Sequence, residues 1–186
     1  ERITYIGNTI IDESEQDLDA RDGLNLAQAA LAYVGDYSYF GFTSPISGRR
    51  FRFEAEPTFG SLDFLTVLAD YRHYFFANPV TIAFRGLHYG RYLGDSESNR
   101  LSQLYLGGET LVRGYSVGSI EVSECTEADR PGACPEYDRL VGSRLGVVNA
   151  EVRFPLFGTD RYGLVNFSYL PTELVAFFDA GVAWTR

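Results

Sequence analysis

A chain of 186 residues is the size of one domain, and it carries 25 acidic side chains against 16 basic ones, all arginine, for a net charge of −9. Nucleic acid is excluded as a natural partner, because neutralising phosphates takes clustered positive charge. No apolar run reaches the ~18 residues of a membrane helix, a rule that leaves membrane β-strands untouched because their alternation never makes a long apolar run.

The 14 Phe, 13 Tyr and single Trp suit sheets and interfaces where one end of a ring is wet. The missing lysine reads most simply as a genomic preference for arginine codons. The chain opens at Glu1 and holds no methionine, as expected of a processed product or an excised piece.

Residues 2–11 read as a weak strand. The stretch 12–22 reads as a long acidic connection, and its run Asp12, Glu13, Glu15, Asp17, Asp19 as a solvated loop without the ordered oxygen cage that calcium needs. Residues 23–35 form a second weak strand. Within them 24–31 is the best helix candidate, although its alanines fit a strand equally. A connection follows at 37–48, with Ser44-Pro45 as its turn signal.

Strong two-residue alternation begins at 49–59. Phe51, Phe53, Ala55, Pro57 and Phe59 share one face, and Arg50, Arg52, Glu54 and Glu56 the other. In 62–76, Leu65, Val67, Ala69, Tyr71 and Phe75 oppose Asp70 and Arg72. In 79–92, Val80, Ile82 and Phe84 oppose Thr81 and Arg85, after a turn at Asn78-Pro79. A connection of about fifty residues, 93–142, comes next; loops this long are functional or disordered. Residues 144–157 set Val148, Ala150, Val152, Phe154 and Leu156 against Asn149, Glu151 and Arg153. Residues 173–184 set Leu174, Ala176, Phe178, Ala180, Val182 and Trp184 against Glu173 and Asp179.

The long connection contains a glycine-rich segment, Leu104 to Tyr115, in which Gly107, Gly108 and Gly114 allow tight folding and Arg113 is the one cation. On its residues alone Arg113 reads as a solvated loop arginine. Further on, Cys125 and Cys134 flank Pro131-Gly132. Two cysteines without a histidine make a poor zinc site. A disulfide closing a small loop fits better than free thiols, and it implies an oxidising compartment. His73 and His88 stand on different strands with no metal-ligand spacing, and no Ser-His-Asp or Cys-His set can be assembled.

Two features bear on fold class. The strands exceed the usual ~5–6 residues of globular proteins, and their polar faces carry full charges at mid-strand. Alternation alone does not separate a soluble sandwich from a membrane barrel with lipid outside and a wet lumen inside. Length favours the barrel, since spanning takes about 9–11 tilted residues.

In order and joint presence, Leu106-Gly107-Gly108 with Val112-Arg113-Gly114-Tyr115, then Asn149-Ala150-Glu151-Val152-Arg153-Phe154-Pro155, then Phe177-Phe178-Asp179-Ala180-Gly181 resemble the outer-membrane protein assembly barrels, the bacterial surface antigen superfamily that includes BamA and TamA. The resemblance covers roughly 49–184. It implies an all-β, antiparallel transmembrane barrel of sixteen strands, of which this chain supplies about seven as a C-terminal portion over 1–186, with a long extracellular loop, 93–142, folded into the lumen. It implies a bacterial outer-membrane location, no enzymatic activity and no cofactor, and assistance to insertion or passage of polypeptides. The implied partners are outer-membrane lipid, polypeptide clients, the remaining barrel strands and an N-terminal periplasmic domain.

The resemblance also recasts Arg113. Its motif (Gly107, Gly108, Val112, Arg113, Gly114, Tyr115) becomes a loop lock, with Glu151 and Asp179 as lumenal partners on the charged faces of their strands. Arg52, Glu54, Glu56, Asp70, Arg72, Arg85 and Arg153 become lumenal charges that pair across strands. The periplasmic repeats of BamA and TamA are not in this chain, and residues 33–56 are similar to a subgroup whose barrel follows a β-propeller. A passive barrel anchor or pore for such a periplasmic domain is therefore the alternative function. A soluble secreted β-sandwich is the third class; it predicts extraction without detergent.

Overall fold

The computed structural model describes residues 2–6, 9–14, 23–115, 125, 134–159, 161–167 and 169–186. Its strands are β1 (Arg2–Ile6), β2 (Thr9–Ser14), β3 (Leu26–Gln28), β4 (Leu31–Phe40), β5 (Pro45–Gly60), β6 (Phe64–Ala77), β7 (Val80–Tyr92), β8 (Leu104–Tyr105), β9 (Val141–Gly142), β10 (Arg144–Gly158), β11 (Val165–Asn166) and β12 (Thr172–Trp184), and a short helix, α1 (Pro135–Asp138), precedes β9. The main sheet runs β12–β10–β7–β6–β5, with β4 and β3 both on the far side of β5. Its long pairings are antiparallel. Among the described residues this sheet is open. It curls enough for the β4–β5 turn to reach β12, where Ser44 Oγ donates to Glu173 Oε1 at 3.0 Å.

The register puts Arg144, Gly90 and Trp184 in one row on the same face as Val67 and Ala55. That face is mostly apolar along the long strands; its polar or charged members are Ser47, Arg49, His73, His88 and Arg144. On β12 it presents Leu174, Phe178 and Val182, each more than half exposed. Ten residue steps separate Leu174 from Trp184, and at about 3.3 Å per step tilted by about 40° they span roughly 25 Å, the height of a barrel's lipid-facing band. Phe51 is the buried exception on this face, because the rings of Tyr33 and Tyr37 lie at 5.2 and 6.3 Å from it.

The opposite, inner face changes character along its length. Next to the long loop it carries Leu68, Leu87, Leu145, Val147 and Ala183; beyond them come Asn149, Arg85, Asp179, Glu151 and Arg153. The hydrophobic core of the chain lies on this inner face, where Leu87, Leu145 and Val147 pack against Leu106 and Val112 of the loop.

Three sequence expectations need correction. The connection expected at 37–48 shrinks to 41–44, because β4 continues through Tyr37 and Tyr39, which alternate outward. Asp36 and Ser38 look like turn residues but stand on the inner face. There Asp36 lies 3.6 Å from Arg50 and accepts from the Ser38 hydroxyl at 2.6 Å. The helix candidate at 24–31 is extended, since Ala29 N–H donates to Pro57 O and carries the β3 pairing on toward β4. Finally, 2–11 is not one strand: β1 and β2 form a separate antiparallel pair that takes in Asp12 and Glu13. The rest of the acidic run, 15–19, lies outside the described residues.

Candidate lumenal loop site

β7 and β10 are neighbours, and the segment joining them folds back over their inner face. β8 pairs with β9, and Leu106 N–H donates to Leu140 O at 2.8 Å. Past that point the chain turns sharply: Leu111 N–H donates to Gly108 O, and Gly107 bridges Val112. Gly108 and Gly114 have φ of +134° and +94°, values that side-chain-bearing residues rarely adopt. Leu106 and Val112 then enter the wall. A Cβ at Gly181 would stand 2.8 Å from Leu106 and 3.0 Å from Val112, so this glycine is the seat that lets the loop approach β12.

One turn deeper, Arg113 meets the first charged row. Its Nε and Nη2 donate to the two oxygens of Asp179, each at 2.7 Å, and its main-chain N–H adds a third bond at 3.1 Å. Nη1 lies 2.9 Å from Glu151 Oε1. The guanidinium also lies over the Phe177 ring, 3.7 Å from its centroid. The Asp179 side chain is only 3% exposed. Its fourth bond comes from Asn149 Nδ2 at 2.8 Å, so every lone-pair direction of this carboxylate is used. Hydrogen bonding to Asp179 raises the Arg113 pKa above the ordinary arginine value.

Neighbouring side chains grip the loop through its carbonyls. Asn149 Nδ2 donates to Leu111 O at 2.9 Å, and Arg85 Nη1 donates to Thr110 O. Arg85 is itself held by Asp70, through Nε at 3.1 Å and Nη2 at 2.8 Å. The sequence nominated Arg85 only as a wall charge and did not nominate Asn149 or Thr110. Asn149 opens the second motif and falls on the polar face by parity, which was the available signal.

The remaining nominated charges are on the inner face, but they pair mainly along their own strands. Arg153 donates to Glu151 from Nη2 at 2.6 Å, Arg72 to Asp70 at 2.9 Å, and Arg52 Nε to Glu54 at 2.7 Å. The expected cross-strand pairing is met by Arg85 with Asp70. Residues two apart on a strand share a face, and the long arginine arm covers that spacing easily. Arg52, Glu54 and Glu56 stand on β5, away from the Arg113 contacts. A cavity of about 250 Å³ opens beside Arg113, lined among others by Arg72, Tyr74, Arg85, Glu109 and Arg153.

Cys125 and Cys134 are disulfide-bonded. With Glu136 they are the one grouping of metal-ligand residue types found among the described residues, but the bond leaves no thiolate to coordinate a metal. His73 and His88 face outward. His73 lies against Phe75 and Tyr71, and His88 against Tyr92 and Trp184.

A curled antiparallel sheet, apolar outside and charged inside, with a loop seated in its lumen, defines a portion of a membrane β-barrel. Comparison with family models matches the Omp85 superfamily domain over residues 36–186, and the chain belongs to that superfamily, which is consistent with its BamA- and TamA-like motifs. Omp85 proteins are outer-membrane β-barrels that act in protein assembly and translocation and are not enzymes. A search of curated proteins returned no match.

Proposed function

We propose that residues 1–186 form the C-terminal part of an outer-membrane barrel that assists insertion or passage of polypeptides, with 93–142 as its extracellular loop folded into the lumen. The Arg113 contact with Asp179 and Glu151 is the lock that fixes the loop there. The observation that carries this reading is the complete use of the Asp179 carboxylate by the loop tip and by Asn149, the residue that also holds Leu111 O. A bond set that complete has no use in a barrel whose loop swings freely. The wall, its lipid-facing side and the docked loop are then the working parts, and polypeptide clients, outer-membrane lipid, further barrel strands and a periplasmic domain are the partners.

The passive alternative, an anchor or open pore for a periplasmic domain, fits less well, because Leu106 and Val112 fill part of the lumen against Leu87, Leu145 and Val147. The test is depletion of the full-length protein, followed by complementation with the wild type or Arg113→Ala. The assembly reading expects unfolded outer-membrane barrels to accumulate on depletion and on complementation with the variant. Normal barrel assembly after depletion would remove it and leave the anchor.

A further inference from the structure

We infer that the outer face carries a binding site for a phosphate-bearing membrane lipid, built from Arg144, Tyr92, His88 and Trp184 at the rim where the long loop leaves the sheet. Arg144 is an outward-facing residue: it pairs with Gly90 on one side and Trp184 on the other, in a row whose other members face lipid. Among the described residues it has no acid within ion-pair distance, as is also true of Arg49 and Arg91. Arg50, Arg52, Arg72, Arg85, Arg113 and Arg153 each lie within ion-pair distance of a carboxylate, whereas Arg144 has only a long bond from Nε to Arg91 O at 3.4 Å among the described residues.

Its surroundings form a platform. The guanidinium carbon lies 4.6 Å from the centroid of Tyr92. The Tyr92 hydroxyl is 2.6 Å from His88 Nε2, and the His88 ring stacks on Trp184 with centroids 5.7 Å apart. Glycines let these side chains lie flat. A Cβ at Gly90 would stand 3.0 Å from the Arg144 side chain, and one at Gly146 would touch the Trp184 ring at 3.4 Å. Tyrosine and tryptophan are the residues that settle at headgroup level, with ring in acyl chain and polar tip in water. Trp184 closes the roughly 25 Å apolar band measured up from Leu174. Arg144, its direct cross-strand partner, therefore sits at the depth of the lipid phosphates. An arginine there offers a planar fork that takes two phosphate oxygens at once, while the rings pack against glycerol and the first methylenes.

This assignment rests on the barrel lying in a bilayer and not on what its lumen does, so it stands or falls separately from the assembly reading. Native mass spectrometry of the full-length protein in dodecyl maltoside micelles tests it. The probes are dioleoylphosphatidylglycerol and dioleoylglycerol, which share acyl chains and differ in the phosphate headgroup. The wild type is expected to retain phosphatidylglycerol in preference to dioleoylglycerol. Arg144→Gln should weaken that retention about ten-fold or more, the worth of a charge-assisted bond. Arg144→Lys should restore part of it, and Tyr92→Leu, which keeps the charge and removes the platform, should weaken it less. Equal retention of both lipids by the wild type, or undiminished phosphatidylglycerol binding by Arg144→Gln, overturns the site. Displacement of the lipid by millimolar inorganic phosphate overturns the lipid assignment in favour of a free-phosphate site.

Discussion

Replacing Arg113 with alanine separates the charged tip contact from the apolar seat of the same loop. The substitution leaves Asp179, 3% exposed, with only Asn149 Nδ2 and the main-chain N–H of position 113. Deleting one partner of a buried pair costs about 3–5 kcal/mol. The Glu151 arm adds roughly 0–1 kcal/mol, because Glu151 is partly exposed and keeps Arg153. The two donors that remain on Asp179 put the expected loss at the lower end, about 3 kcal/mol, or on the order of 100-fold in the local opening equilibrium. Leu106 and Val112 stay buried at roughly 1.5–3 kcal/mol each, so the loop does not leave the lumen as a whole. Amide hydrogen exchange of the full-length protein should show this split. Protection at 109–115 should fall by about two orders of magnitude in Arg113→Ala while Leu106 stays protected. Arg113→Lys should recover only part of the loss, since the bidentate fork is gone. Unchanged protection at 109–115, or full recovery by lysine, would refute the reasoning.

Gly181→Leu attacks the other half of the seat: its side chain enters space held by Leu106 and Val112, so protection should fall at 104–112 with Asp179 and Arg113 chemically intact. Equal protection of wild type and variant by hydrogen exchange would show that the seat is not tight. Arg85→Ala removes a charge-assisted bond to Thr110 O while Asp70 retains Arg72, and should cost about 1.5–3 kcal/mol at the loop tip. A double-mutant cycle with Arg113→Ala measures whether the two grips are coupled, and an Arg85→Ala loop as protected as wild type would exclude the second grip. For Cys125 and Cys134, thiol labelling should need prior reduction, and the double serine variant should lose about 2–3 kcal/mol of loop stability by the chain-entropy relation. Labelling of the unreduced protein would contradict the bond.

Strands β5, β6, β7, β10 and β12 were legible because in each an apolar face alternates with one that carries charges at mid-strand. The same parity puts Glu151 and Asp179 on one side of adjacent strands. Period two failed where polar residues stood inside the lumen. Asp36 and Ser38 on β4 carry the composition of a turn, and only their pairing with β5 distinguishes them. Parity found the mid-strand charges of the inner face but gave no sign of the apolar patch there, formed by Leu68, Leu87, Leu145 and Val147. The grips on Thr110 O and Leu111 O left no trace in composition, because every residue offers the same carbonyl.

The inner wall is a depth scale, and the loop sequence is written to match it. Going inward from the rim, the cross-strand rows on β7, β10 and β12 run Tyr89–Leu145–Ala183, Leu87–Val147–Gly181, Arg85–Asn149–Asp179, and Ala83–Glu151–Phe177. The loop presents Leu106 and Val112 to the first two rows and Arg113 to the third and fourth. Consider a slip of one row toward the rim. The guanidinium would face Leu87 and Val147 and lose Asp179; the acid of that row, Asp70 on β6, is already taken by Arg72 and Arg85, while Asp179 would remain buried without its cation. Each half of that exchange is unfavourable by several kcal/mol. A slip inward would push Val112 against Asn149 and Asp179, burying polar groups without partners. Charge alone would tolerate several depths, since Asp70, Glu151 and Asp179 all lie nearby, and apolar packing alone would tolerate sliding. The boundary between apolar and charged rows is what admits one position, and the adjacent pair Val112-Arg113 straddles it.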